Sequence, residues 1–293
     1  MKGGMQIGIV TPVLIQHPAV RADWEVGAGI DEVASIAEAA DRLGYHHLTC
    51  SEHVAVPAPI AAERGGTYWD PLATFGFLAA RTRRIRLVTQ VLVLGYHHPL
   101  EIAKRYGTLD RISGGRLTLG LGVGSLREEF DLLDAPFEGR GPRADDALRA
   151  LRACLSRPRP EYHGEFYDFA DVVVEPHAQQ PRVPLWIGGR TARSLRRAIE
   201  LGDGWVPFGL SLPDLADLLA KAPVPADMEV VLSAGRPLDP TGSPDAAARA
   251  LTRLRDAGAT IASASIAATG AAHYGEQLEA LKELAAPLGV EFS

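Results

Sequence analysis

Apolar runs and amphipathic segments alternate along the chain, and this pattern predicts its secondary structure. The apolar run 6–10 precedes segment 31–43, whose apolar positions recur at helical spacing until Gly44 ends the helix. Run 85–94 is rich in β-branched residues with little polar alternation, which is typical of a strand covered on both faces. The predicted strands are 6–10, 47–50, 85–94, 116–121, 184–187, 204–207, 229–233 and 260–265. The predicted helices are 31–43, 71–80, 99–112, 144–155, 191–201, 212–219, 245–256 and 274–285.

Eight strands in strict alternation with eight helices predict an α/β fold, a single (β/α)8 TIM barrel over residues 1–293. Such alternation requires a parallel sheet with helices outside it. The alternative, an open doubly wound sheet, usually has about five or six strands. Two longer segments, about 123–143 after the fourth strand and 157–181 before the fifth, are predicted insertions. Long insertions at the catalytic face of a barrel usually shape the substrate pocket.

Composition and charge exclude several classes of protein. Apolar residues make up 46% of the chain and charged residues 23%, which argues against a disordered, collagen-like or coiled-coil protein. The net charge of −6 argues against broad binding to nucleic acid or to anionic membranes. No apolar run reaches the roughly 18 residues that span a bilayer, and the N-terminus leads into a strand without a signal-peptide pattern. We therefore expect a cytoplasmic protein in which Cys50 and Cys154 form no disulfide.

Polar or glycine-rich groups follow four of the predicted strands, at the strand ends where barrel active sites form. They are Ser51, Glu52 and His53, then His97 and His98, then Gly122, Gly124 and Ser125, and finally Gly188, Gly189, Arg190 and Thr191. His53 is a candidate for proton transfer or charge stabilisation, and a hydrogen-bonded structural histidine is the alternative. The adjacent histidine pairs lack the spacing of a helix-borne zinc site, so no metal is predicted.

The segment from Gly188 to Thr191 joins a predicted strand to a predicted helix. Free backbone N–H groups and the positive end of the helix dipole favour a phosphate at such a junction. The glycines permit close backbone approach, while Thr191 and Arg190 can add a hydroxyl group and a charge. A tight turn with Thr191 as the helix N-cap is the alternative. Gly122 and Gly124 do not follow the spacing of a dinucleotide fingerprint, but they leave room for a flat ring.

With these strand-end motifs, the chain resembles the bacterial luciferase-like oxidoreductases, and within them the branch that uses the deazaflavin coenzyme F420. The resemblance runs from about residue 5 to 210, and the last third of the chain matches only in pattern. The stretches that carry it are 39–45, 51–53, 71–73, 79–87, 98–99, 103–104, 108–117, 120–130, 184–189 and 202–205.

The resemblance implies a flavin or deazaflavin lying across the strand ends, with its phosphate at the loop after the fifth strand. The residues it assigns to cofactor binding are Gln90, Val91, Gly122, Gly124, Ser125, Ile187, Gly188, Gly189, Arg190 and Thr191. It also implies a bulge with a non-proline cis peptide near Gln90–Val91, behind the ring. Glu52 and His53 are the implied catalytic residues beside the ring, with His53 acting in hydride transfer.

The implied reaction is hydride transfer between C5 of F420 and a small unsaturated or carbonyl compound. The alternative is an FMN-dependent monooxygenase that uses molecular oxygen, since the phosphate site serves either cofactor. F420 carries an acidic tail, for which Arg127, Arg140, Arg143, Arg193 and Arg197 are candidate partners. A homodimer is also implied.

Two departures from the family pattern limit these implications. Many relatives have aspartate where this chain has Glu52, which leaves the role of that carboxylate open. Deazaflavin enzymes that oxidise a sugar phosphate place a glutamate general acid near the position of Arg127, so that activity is not expected here.

Overall fold

Eight short parallel strands close into a barrel in the computed structural model, which describes residues 4–292. In chain order, the strands inside and outside the barrel are β1 (Met5–Ile9), β2 (His47–Cys50), β3 (Arg86–Val93), β4 (Leu117–Gly122), β5 (Tyr162–His163), β6 (Asp168–Phe169), β7 (Leu185–Gly188), β8 (Gly204–Val206), β9 (Glu229–Ser233), β10 (Ile261–Ala264) and β11 (Val290–Glu291). Strands β5 and β6 form a separate pair, and β11 adds to β1 beside the barrel. The barrel order is β1, β2, β3, β4, β7, β8, β9 and β10, and β10 pairs back with β1. The predicted TIM barrel is therefore confirmed.

Helices surround the barrel and connect its strands. They are α1 (Ile30–Leu43), α2 (Ala58–Arg64), α3 (Pro71–Arg81), α4 (Pro99–Ile112), α5 (Arg127–Leu132), α6 (Arg140–Cys154), α7 (Ala192–Leu201), α8 (Leu212–Ala220), α9 (Pro244–Asp256) and α10 (Ala271–Ala285). Short 3-10 turns cover Asp23–Gly27, Leu94–Tyr96 and Ala286–Leu288. Within residues 4–292, none of the helices combines the length and apolar character needed to cross a bilayer.

Every predicted strand and helix is present, and the largest difference in bounds is at the start of α6. This helix begins at Arg140, four residues before the predicted 144, after Gly139 in the left-handed conformation with φ of +69°. Gly141 and Pro142 lie in the first turn, and because both residues are unfavourable inside helices, the sequence pattern predicts a later start. Proline is nevertheless tolerated in a first turn. The predicted insertion 123–143 consequently includes the first turn of α6 as well as α5.

The second predicted insertion, 157–181, does not contribute to the cavity described below. It carries the two-stranded ribbon of β5 and β6, and it is anchored from outside the barrel by two buried aspartates. Asp110 accepts hydrogen bonds from the backbone N–H groups of Gln179 and Gln180. Asp146 accepts from the backbone N–H groups of Phe166 and Tyr167. The expectation that this insertion shapes the substrate pocket is therefore wrong for the residues the structure describes.

The barrel interior is filled by apolar side chains from five strands. They are Val88, Trp186, Val206, Val231 and Ile261, with the partly buried Val91 packed against them. At Val91 strand β3 bulges, since its register against β4 shifts between Thr89 and Leu92. The Gln90–Val91 peptide bond is cis, where the family resemblance implies one.

The opposite, N-terminal end of the barrel holds a buried polar cluster. The indole Nε1–H of Trp186 donates to the Glu229 carboxylate at 2.5 Å, and the His46 ring stacks on Trp186 with centroids 6.1 Å apart. Burial, with the nearby Arg86 charge, lowers the pKa of His46 to about 4. We interpret this cluster as structural, because barrel active sites lie at the other end.

Both cysteines are buried free thiols. Burial raises the pKa of Cys50 and of Cys154 to about 12, so neither is a thiolate near neutral pH.

Candidate active site

A cavity of about 910 Å³ opens at the C-terminal ends of the barrel strands. The predicted site residues that line it are Glu52, His53, Gln90, Val91, Gly122, Gly124, Ser125, Gly188, Gly189, Arg190 and Thr191. Ile187 is the exception: it is 2% exposed and belongs to the core between strands and helices. Successive side chains of a strand face opposite sides, so the inward Trp186 and Ile187 cannot both face the barrel interior. The assignment of Ile187 to the cavity wall is therefore corrected.

Two glycines make the cavity wall fit closely around Val91. A Cβ atom at Gly122 would lie 2.7 Å from Val91 Cγ2, and one at Gly188 would lie 2.9 Å from Val91 Cγ1. Both distances are shorter than side chains tolerate, so any larger residue at 122 or 188 displaces Val91. Val91 lines the cavity and also packs on the barrel core, so its position fixes the cavity floor.

The loop after β7 presents a helix N-terminus to the cavity. Thr191 is the N-cap of α7, and its hydroxyl oxygen accepts from the Ser194 N–H at 3.3 Å. The prediction that Thr191 is the helix N-cap is thus confirmed, and this role does not exclude anion binding at the same loop. The N–H groups of Ala192 and Arg193 precede the first intrahelical hydrogen bond, from Leu195 to Thr191. They add to the exposed Arg190 and Arg193 side chains in a setting that favours an anion.

His53 stands in the cavity wall with both ring nitrogens engaged. Its Nδ1 lies 2.6 Å from Oε2 of Glu129, and its Nε2 lies 2.9 Å from Nη2 of Arg64. A guanidinium group can only donate, so Nε2 accepts from Arg64. The ring also contacts Tyr68 edge-on, with centroids 4.4 Å apart. A substrate that reaches Nε2 must therefore displace Arg64.

Glu129 is fully buried and collects four hydrogen bonds. Oε1 accepts from the backbone N–H groups of Val54 and Ala55 at 2.6 and 3.1 Å, and Oε2 accepts from His53 and from the Tyr96 hydroxyl at 2.6 and 2.9 Å. Burial opposes ionisation of this carboxyl group, but the donors outweigh it and lower the pKa of Glu129. Burial and the Glu129 carboxylate raise the pKa of Tyr96.

Glu52 lines the same cavity, but its carboxylate oxygens bind the end of β3. Oε2 accepts from the Val93 N–H at 2.7 Å, and Oε1 lies 2.6 Å from Nε2 of His97. Burial opposes protonation of His97, but the hydrogen bond and charge of Glu52 outweigh it and raise the pKa of this imidazole. The neighbouring His98 caps α4 by accepting from the Leu100 N–H. The Glu52 carboxylate therefore holds the C-terminal end of β3 in place.

Sequence reasoning missed Glu129, Tyr96 and Arg64. Glu129 lies in stretch 120–130, which carries the family resemblance, but it was given no role, because a glutamate in a short amphipathic segment is usually exposed. Arg64 gave no signal, because it ends helix α2, which the sequence pattern did not predict. Its contact with His53 depends on how the loop after β2 folds back.

The five arginines considered for an acidic tail differ in their contacts. Arg127 pairs with Glu138 and Arg197 pairs with Asp145. Arg140 lies 3.7 Å above the Phe137 ring and Arg143 lies 4.6 Å above the Phe166 ring. Arg193 is exposed and lines both the first cavity and a second one of about 340 Å³, which shares part of its lining with the first. The second cavity is lined by Gly141, Pro142, Asp145, Arg193, Arg196, Arg197 and Glu200.

Comparison with known proteins gives a family and a fold. The luciferase-like monooxygenase family model matches residues 5–292. An uncharacterized protein of Mycobacterium tuberculosis is 32% identical over 198 residues, which cover 64% of this chain and 68% of that protein. The oxygenase component of a flavin-dependent trigonelline monooxygenase of Acinetobacter baylyi is 29% identical over 175 residues, which cover 59% of this chain and 46% of that protein.

Two solved structures share the fold over nearly their whole length. The monooxygenase RslO1 from Streptomyces bottropensis superposes with a TM-score of 0.78 and 23% identity, covering 97% of this chain and 99% of that chain. The coenzyme F420 dependent tetrahydromethanopterin reductase of Methanopyrus kandleri superposes with a TM-score of 0.71 and 15% identity, covering 98% and 99%. At these identities the likeness concerns the fold alone.

Proposed function

The chain belongs to the luciferase-like monooxygenase family, and on this premise we propose that it is an F420-dependent oxidoreductase. Its reaction is hydride transfer between C5 of the deazaflavin and a small unsaturated or carbonyl compound. The observation that carries the proposal is the convergence of three features in one cavity. They are the helix start after β7, the glycine wall around Val91, and His53.

The residues present fit such a coenzyme. Oε1 of Gln90 is a buried acceptor without a hydrogen-bond partner among the described residues, and Gln90 lines the cavity beside Val91. A polar ring edge can satisfy it, which removes the cost of an unpaired buried group. Gly122 and Gly188 keep the wall free of side chains where a flat ring needs space. The phosphate would be held by the N–H groups of Ala192 and Arg193.

The chain's own residues perform binding and orientation in this proposal. When bound, the deazaflavin supplies a carbon centre that gives or takes a hydride and reacts poorly with oxygen. His53 offers Nε2 as an acceptor that orients a substrate hydroxyl group or stabilises developing charge, once Arg64 has moved from it. Tyr68, Tyr96 and Phe208 line the cavity with aromatic surface that helps exclude water.

The arginines beside the phosphate loop favour the deazaflavin over FMN. FMN ends at its phosphate, whereas F420 continues into an acidic tail. The exposed Arg193 and Arg196 line the second cavity, next to the N-terminus of α7. Arg197 in the same cavity is already paired with Asp145, and Glu200 opposes the positive charge. Arg193 and Arg196 therefore supply the cationic surface for a tail.

An FMN-dependent monooxygenase that uses molecular oxygen is the second candidate. It is favoured by the similarity to the oxygenase component of a flavin-dependent trigonelline monooxygenase. Both candidates use the same cavity and the same phosphate loop. They differ in whether oxygen is consumed.

We expect turnover to be independent of oxygen. The protein and reduced F420 are mixed with a panel of activated alkenes and carbonyl compounds in sealed cuvettes, with and without air. The formation of oxidised coenzyme is followed by absorbance. Equal rates in both conditions are expected, because a hydride passes directly to the substrate. The control supplies reduced FMN to the same panel. Product formation that requires both reduced FMN and oxygen would contradict the proposal and establish the second candidate.

A further inference from the structure

Glu129 joins the backbone of the loop after β2 to two side chains of the cavity wall. Its side chain is 0% exposed, yet all its partners belong to the site or to the two residues that follow His53. His53 and Tyr96 both line the cavity, and both donate to the same oxygen, Oε2. The position of that one oxygen therefore sets the position of two cavity side chains.

The two partners of His53 require the same arrangement of its ring proton. An ionised carboxylate only accepts, so Nδ1 must carry the proton that it donates to Glu129. Arg64 only donates, so Nε2 must be without a proton in order to accept from it. Because Glu129 is buried and bonded on both oxygens while α2 has no buried residue, Glu129 is the better fixed of the two partners.

We propose that Glu129 is a positioning residue that holds His53 as the Nδ1–H tautomer, so that Nε2 is an acceptor towards the cavity. The tautomer and orientation of a functional histidine are commonly set by a carboxylate on its second nitrogen. The effect on turnover rests on the proposed function, whereas the tautomer itself is a property of the protein without coenzyme. The alternative role, a simple anchor for the backbone at Val54 and Ala55, makes no demand on the tautomer.

The substitution Glu129→Gln separates these roles. The amide oxygen is needed by the Val54 and Ala55 N–H groups, so the amide NH2 group turns towards His53 and donates to Nδ1. His53 then carries its proton on Nε2, no longer accepts there, and loses its contact with Arg64, the less fixed of its two partners. The matched control is Glu128→Gln, which makes the same change at the exposed neighbouring residue of α5.

The measurement is nitrogen NMR of the folded protein labelled with ¹⁵N-histidine. His53 is assigned as the signals lost in His53→Ala. We expect a protonated Nδ1 and a bare Nε2 in the parent and in Glu128→Gln, and the reverse in Glu129→Gln. The variant Arg64→Met is expected to keep the parent tautomer, because Glu129 alone suffices. A parent with the proton on Nε2, or an Arg64→Met variant that changes tautomer, would overturn the proposal even if Glu129→Gln failed to fold.

Kinetics give the second readout. In Glu129→Gln we expect kcat to fall by roughly tenfold, as when a residue that orients a functional histidine is changed, with coenzyme affinity unchanged. Glu128→Gln should match the parent in both. A tautomer change without any fall in kcat would overturn the role in turnover. If the protein binds neither F420 nor FMN, the proposed function fails, but the tautomer result still decides the role of Glu129.

Discussion

His53→Ala is expected to lower turnover by roughly a hundredfold or more while leaving coenzyme affinity near that of the parent. The imidazole lies in the cavity wall, and its Nε2 is the acceptor that a substrate can reach once Arg64 moves. Its loss removes the group that orients the substrate or stabilises developing charge. The phosphate loop after β7 is untouched, so binding should persist. The measurement is kcat from reduced-coenzyme oxidation beside a separate coenzyme titration.

The matched control for that substitution is His163→Ala. His163 is exposed on the β5–β6 ribbon, outside the cavity lining. It should retain the turnover of the parent. Equal turnover in His53→Ala and the parent would contradict the assigned role, and a loss of coenzyme affinity as large as the loss of turnover would make His53 a binding residue instead.

Gly188→Val is expected to weaken coenzyme binding by at least about tenfold, or about 1.4 kcal/mol. A Cβ atom at this position would lie 2.9 Å from Val91 Cγ1, so a valine side chain displaces Val91, which lines the cavity. The lost space is on the wall against which the ring would rest. The Kd of the purified variant, measured by fluorescence titration, gives the effect.

A double-substitution cycle shows whether the loss arises at that wall. In a Val91→Ala background the valine at position 188 has more room, so the same substitution should cost less affinity than it does in the parent. An equal cost in both backgrounds would contradict the wall argument, since residues that do not interact have additive effects. Unchanged binding in Gly188→Val itself would remove the position from the site.

The barrel was predictable because its signals are local and repeated. Each apolar run is followed by a helical pattern, and parallel strands covered on both faces show little polar alternation, as in 85–94. The strand-end residues were predictable for the same reason, because closure of the barrel brings all the C-terminal strand ends together. Knowing the strands was therefore sufficient to predict that Glu52, Gly122 and Gly188 line one cavity, whereas Gln90 was assigned only through the family resemblance.

The hydrogen bonds within the site were not predictable, because they link residues far apart in the chain. Glu129 contacts His53 across 76 positions, and no pattern in α5 marks a buried carboxylate. Ile187 was misassigned because its neighbour Gly188 lines the cavity, whereas alternation along β7 turns its side chain away. Segment 157–181 was wrongly predicted to shape the substrate pocket, because long insertions at a barrel's catalytic face often do. Its anchors, Asp110 in α4 and Asp146 in α6, hold it outside the barrel.

Titration of the purified protein with oxidised F420 and, separately, with FMN tests the central claim most directly. Fluorescence reports both cofactors in the same buffer. The cavity, its glycine wall and the arginines beside the phosphate loop predict micromolar or tighter binding of F420 and clearly weaker binding of FMN. Tighter binding of FMN than of F420 would contradict the account.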